Sequence, residues 1–116
     1  PPGLPFVRDG RLRALAVTSP KRSPLAPDLP PVADTLPGFE STTWFGLFGP
    51  RSLPADLVAR VNAAANQAVS DPELRDKLAK LGIEPATGTP AQFAALVAQD
   101  AAKWKKIIVE RKIVNE

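Results

Sequence analysis

The chain has 116 residues, a net charge of +3 and neither cysteine nor histidine. Without cysteine there is no disulfide, thiolate metal site or thiol nucleophile, and without histidine no imidazole base, ordinary triad or usual zinc set. An enzyme is therefore not expected, and no cofactor is implied. The mild basic excess gathers late, in Lys103, Lys105, Lys106, Arg111 and Lys112. Such a cluster reads as a solvated helix face or, against that, a phosphate patch; no aromatic residues interleave with it as a single-strand platform requires, so nucleic acid is not an expected partner. The opening Pro1-Pro2-Gly3 carries no Met, which leads to the expectation of a fragment or processed product. No apolar run has membrane-spanning length.

Pro5 to Arg8 is expected to form one helical turn closing at Gly10, a residue at ease in the left-handed cap conformation. A strand over Arg11–Thr18 follows, apolar on both faces in its later half. Prolines 20, 24, 27, 30, 31 and 37 then exclude a central strand or long helix, since proline lacks an amide donor and fixes φ. This stretch reads either as a flexible linker or, because Leu25, Leu29, Val32, Ala33 and Leu36 are spaced among the prolines, as a rigid loop pinned to a surface. Pro31–Thr35 suits a short helix, and Pro37-Gly38 a turn.

Ser41–Phe48 is expected to be a second buried strand. Trp44 and Phe48 would lie on one face, Phe45 and Leu47 on the other, with Gly46 at a bend or close approach. Three helices should follow. The first spans about 54–69, with Leu57, Val58, Val61, Ala64, Ala65 and Ala68 as its core stripe. The second begins at the Ser70-Asp71-Pro72-Glu73 cap and ends before Gly82. The third is launched by the Thr89-Pro-Ala-Gln92 capping box and runs to about Lys112, with Phe93, Leu96, Val97, Trp104, Ile107 and Ile108 on one face. Asp100 sits beside that stripe as a boundary carboxylate. No repeat, GxGxxG or GK[ST] string occurs.

Several of these strings, in their order and spacing, resemble the C-terminal part of the Bug family. They are Gly10-Arg-Leu-Arg-Ala-Leu-Ala-Val-Thr-Ser19, Leu25-Ala-Pro-Asp28, Leu36-Pro-Gly-Phe-Glu40, Trp44-Phe-Gly-Leu-Phe-Gly-Pro50, Leu53-Pro-Ala-Asp56, Leu81-Gly-Ile-Glu-Pro85 and Thr89-Pro-Ala-Gln-Phe93. Bug proteins are substrate-binding receptors of tripartite tricarboxylate transporters with a two-lobed type II periplasmic binding protein fold. Leu29-Pro30-Pro31-Val32 and Ser52-Leu53-Pro54 depart from the family's usual pattern. The resemblance implies an α/β fold class: the C-terminal part of a two-lobed receptor, two buried strands followed by three helices. Residues 1–42 would end the second lobe with the proline-rich cleft loop, and 43–116 would hold the crossover strand and the C-terminal helices of the first lobe.

The function so implied is that of a periplasmic receptor for a small organic acid, passed to a membrane permease. Thr18 and Ser19, at the carboxyl end of a strand, read either as hydroxyl and backbone donors to a carboxylate or as a pair closing the turn before Pro20. Asp28 reads as part of the cleft rim or as a turn former, and Trp44 as core or as an aromatic platform. The alternative function, from another class, is a helical interaction or assembly domain. Its apolar stripes would then find one another or a second copy, so self-association of the fragment is also an expectation.

Overall fold

The computed structural model describes residues 3–114; the opening Pro1-Pro2 and the closing Asn115-Glu116 lie outside the described residues. Among the described residues four α-helices form: α1 (Leu4–Arg8), α2 (Ala55–Ser70), α3 (Pro72–Lys80) and α4 (Pro90–Glu110), with a 3-10 turn at Val32–Asp34. Their ends follow local chemistry. Asp71 accepts from the Leu74 amide at 3.0 Å to start α3, where Pro72 occupies a position whose amide needs no partner. Thr89 and Gln92 make the expected reciprocal capping box at α4.

Three helices stop in the same way. At α1, Gly10 (φ 70°) donates to the Val7 carbonyl and Arg11 to that of Phe6. At α3, Gly82 (φ 74°) donates to Ala79 and Ile83 to Leu78; at α4, Lys112 (φ 51°) donates to Val109 and Ile113 to Ile108. Each is the paired bonding of a Schellman ending, which needs a left-handed residue just past the helix. Glycine takes that conformation freely, whereas Lys112 carries a Cβ into it at a cost.

The chain divides into two compact units, Pro1–Arg51 with Asp71–Pro85, and Ser52–Ser70 with Ala86–Glu116. In the second unit α2 packs on α4. The less exposed stripe of α2 is Val58, Asn62, Ala65, Asn66 and Val69, and that of α4 includes Phe93, Val97, Asp100 and Ile107. Both are rotated from the purely apolar stripes expected. Leu57 and Val61 on α2, and Leu96, Trp104 and Ile108 on α4, stay exposed, while two asparagines turn inward.

The asparagines have a reason to do so. Asn66 accepts from the Gly88 amide at 3.1 Å and donates to the Gly88 carbonyl at 2.9 Å, and Asn62 donates to the same carbonyl at 3.0 Å. One side-chain amide thus serves both backbone polar groups of a single residue as a neighbouring strand would, and it fixes the backbone immediately before the α4 cap.

The two buried strands are not formed among the described residues, which corrects that part of the expected fold. At 11–18, the first two amides are already committed to ending α1, since Arg11 and Leu12 both donate to the Phe6 carbonyl at 2.9 and 3.0 Å. The Arg11 guanidinium also lies 4.9 Å over the Phe6 ring. Only Val17 pairs, in an isolated parallel bridge to Pro31. Pro31 has no amide to donate, so the ladder cannot extend through it.

At 41–48 the backbone is irregular, and the Ser41 amide donates to the Thr18 carbonyl at 3.0 Å. Strands need a neighbour, and the stretch joining these two segments is stripped of donors by its prolines. Pro31 is the one residue with a buried side chain among those described, and no hydrophobic residue reaches full burial.

Candidate functional site

The proline-rich stretch is a closed loop held at its neck. The Val17 amide donates to the Pro30 carbonyl and the Val32 amide to that of Val17, both at 2.9 Å. Inside the loop, Ser23 accepts the Leu25 amide on its Oγ and the Ala26 amide on its carbonyl, and an Arg22 guanidinium nitrogen donates to the Pro27 carbonyl at 3.2 Å. Leu25 and Leu29 turn partly inward. This is the pinned arrangement rather than the flexible linker: each proline that cannot donate is flanked by a residue whose amide or side chain does.

Thr18 and Ser19 sit directly after Val17, at the carboxyl end of the parallel bridge. The Thr18 carbonyl is taken by Ser41, and the Ser19 hydroxyl donates to the Lys21 carbonyl at 2.7 Å. Thr18 is exposed and Ser19 half-buried. The Thr18 hydroxyl and the amides of both residues make no hydrogen bond to any described residue. Asp28 is exposed at the third position of the Ala26–Leu29 turn, closed by the Leu29 amide on the Ala26 carbonyl at 3.2 Å. Thr18 and Ser19 therefore share one end of the bridge, and Asp28 lies on the turn leading back to it.

A feature that the sequence reading missed lies on the loop's other flank. Pro24 and Leu25 line an open groove of about 240 Å³ with Arg75, Asp76 and Ala79 of α3 and with Ile83, Glu84 and Pro85. The Ser23 hydroxyl hydrogen-bonds the Glu84 carboxylate across 61 residues of chain. No sequence signal links those two positions, because each lies in an ordinary turn. Trp44 is half-buried, with its ring 6.4 Å from that of Phe48. Among the described residues no group of three or more acidic side chains could hold a metal ion, and no helix is long and apolar enough to cross a membrane.

Comparison with known proteins adds what this geometry leaves open. The chain is 42% identical over 105 residues to a UPF0065 protein in the tcbD-tcbE intergenic region of Pseudomonas sp. (strain P51), covering 89% of this chain and 31% of that protein. It is 37% identical over 110 residues to a UPF0065 protein in the clcB-clcD intergenic region of Pseudomonas knackmussii, covering 93% and 65%. It is also 29% identical over 111 residues to Protein BugT of Bordetella pertussis, covering 95% and 34%. The chain thus spans from 31% to 65% of the length of these relatives.

Residues 1–113 match the family model described as the tripartite tricarboxylate transporter family receptor. That family is one of receptors rather than enzymes, in agreement with the expectation drawn from composition. With 113 of its 116 residues inside that match, the chain belongs to the tripartite tricarboxylate transporter receptor family.

Proposed function

We propose that this chain is the C-terminal portion of a periplasmic solute receptor that binds a small organic carboxylate and delivers it to the membrane permease of a tripartite transporter. Family membership supports the receptor role. The observation that carries the ligand class is the unspent donor set at Thr18 and Ser19, held at the carboxyl end of a parallel bridge by a pinned loop. A carboxylate needs its water shell replaced by neutral donors, and one hydroxyl with two amides offers that without a fixed countercharge.

Asp28 contributes on the rim, through a water or an amino group of the ligand, since its own charge repels a bare carboxylate. In this reading residues 1–42 close the second lobe and 43–116 return to the first, so the opposing wall of the cleft comes from residues outside this chain. Lobe closure on the ligand would then present the closed form to the permease.

The test is isothermal titration of a panel of di- and tricarboxylates into the full-length parent and its Thr18→Val variant. The parent binds at least one member, and the variant, which removes only the hydroxyl, binds it about ten-fold more weakly. A parent that binds none of the panel overturns the carboxylate reading. Equal affinities for parent and variant remove Thr18 from the site.

A further inference from the structure

Among the described residues the hydrogen bonds of Ser19–Leu29 close within that stretch, with one exception. The exception is the Ser23 hydroxyl, which donates to the Glu84 carboxylate in the turn after α3. Both residues belong to the first compact unit. A serine hydroxyl has one proton to give and lone pairs to receive with. Here the proton goes to Glu84, and a lone pair takes the Leu25 amide at 3.1 Å. The result is a relay from the Leu25 amide through Ser23 to a carboxylate, in which each bond polarises the next.

The sequence prepares both ends of this contact. Ser23 precedes Pro24 and Glu84 precedes Pro85, and a residue before proline is held to extended backbone. Glu84 also follows the Schellman ending of α3, where Gly82 and Ile83 donate to Ala79 and Leu78 at 3.0 and 2.9 Å. Little backbone freedom is then lost when the two side chains meet. Pro24 and Leu25 line the same groove as Ile83 and Pro85, so apolar side chains flank the polar contact.

We propose that Glu84 is a positioning residue of the ligand loop, acting through Ser23 on the donors at Thr18 and Ser19. Ser23 anchors the turn that leads through Ala26 and Leu29 to Pro30, whose carbonyl takes the Val17 amide. In the other direction it lies two residues beyond Lys21, whose carbonyl takes the Ser19 hydroxyl. Fixing Ser23 to Glu84 therefore restrains the chain on both sides of the donor pair. A loop ordered in advance spares the ligand the cost of ordering it. The effect on affinity rests on the carboxylate-receptor reading above; the effect on the loop does not.

Hydrogen exchange at the Leu25 amide, followed by NMR in the full-length parent, reads the relay without any ligand. Glu84→Ala should speed that exchange about five-fold, the loss of one charge-assisted hydrogen bond at an exposed carboxylate. Glu84→Gln keeps an oxygen acceptor for the Ser23 hydroxyl and should stay within about two-fold of the parent. Ser23→Ala removes the acceptor itself, and adding Glu84→Ala to it should change nothing further. A Glu84 that merely stabilised the end of α3 would speed exchange equally in both backgrounds, and that result overturns the proposal. So does a Glu84→Ala variant that exchanges like the parent, or a glutamine variant no better than the alanine one.

Isothermal titration of succinate and citrate into the same proteins supplies the second readout. Where the parent binds either acid, Glu84→Ala should bind it about five-fold more weakly and Glu84→Gln within about two-fold. Unchanged affinity in Glu84→Ala overturns the positioning role even if the exchange pattern holds. A parent that binds neither acid counts against the carboxylate reading, and the Leu25 exchange then decides by itself whether Glu84 holds the loop.

Discussion

Asn66 is the residue whose replacement should most clearly loosen the second unit. Asn66→Ala removes the acceptor for the Gly88 amide and one of two donors to the Gly88 carbonyl. At ~1 kcal/mol net for each hydrogen bond, the loss is about 2 kcal/mol, or roughly thirty-fold in the folding equilibrium. Asn62→Ala removes a shared donor to that carbonyl, which Asn66 still serves, and the Oδ1 that accepts from Asn66 at a long 3.3 Å, and should cost about half as much.

The assay is urea unfolding followed by Trp104 fluorescence in a Trp44→Phe background, which leaves one tryptophan, on α4. The two asparagines also touch at 3.3 Å, so the double variant should cost less or more than the sum rather than equal it. An Asn66→Ala cost below about 0.5 kcal/mol, or one no larger than that of Asn62→Ala, would refute the view that this side chain anchors the start of α4.

Other outcomes follow from the helix ends. Lys112→Gly should stabilise α4 by about 1 kcal/mol in the same unfolding assay, because it relieves a non-glycine residue at φ 51° in a Schellman ending. Thr89→Ala removes the hydroxyl that accepts the Gln92 amide at 3.2 Å, leaves the Thr89 amide free to donate to the Gln92 side chain, and should cost about 1 kcal/mol with a measurable drop in helical circular dichroism. Lys77→Ala should change stability by less than about 0.5 kcal/mol, since its 2.6 Å pair with Glu73 is 65% and 77% exposed.

The expected apolar stripes illustrate where reading the chain residue by residue stops. Val58, Ala65, Phe93, Val97 and Ile107 turn inward as their spacing suggests, yet Asn62 and Asn66 turn inward with them. Hydropathy favours Leu57 and Val61 for that role, but it carries no account of an unpaired peptide at Gly88. The same limit hid the Ser23–Glu84 bond and the groove beside it, which join turns 61 residues apart. The loop hydroxyls at Thr18 and Ser19 were visible as candidates because their neighbours in sequence, Val17 and Pro20, set the local geometry.

The sequence by itself determined what local chemistry determines: α2, α3 and α4 with the Asp71 and Thr89 caps of the last two, the left-handed glycines at 10, 38 and 82, the 3-10 turn after Pro31, and membership in a receptor family. Helix bonds close within four residues, so the information lies beside the residue it governs. Tertiary structure alone decided that the segments at 11–18 and 41–48 do not form strands here, that the proline-rich loop is tied at its neck, and that two asparagines face inward. Each of those outcomes depends on which distant peptide finds a donor. A strand propensity is only an offer of hydrogen bonds, and in this chain the partners that would accept it are spent on a helix end or removed by proline.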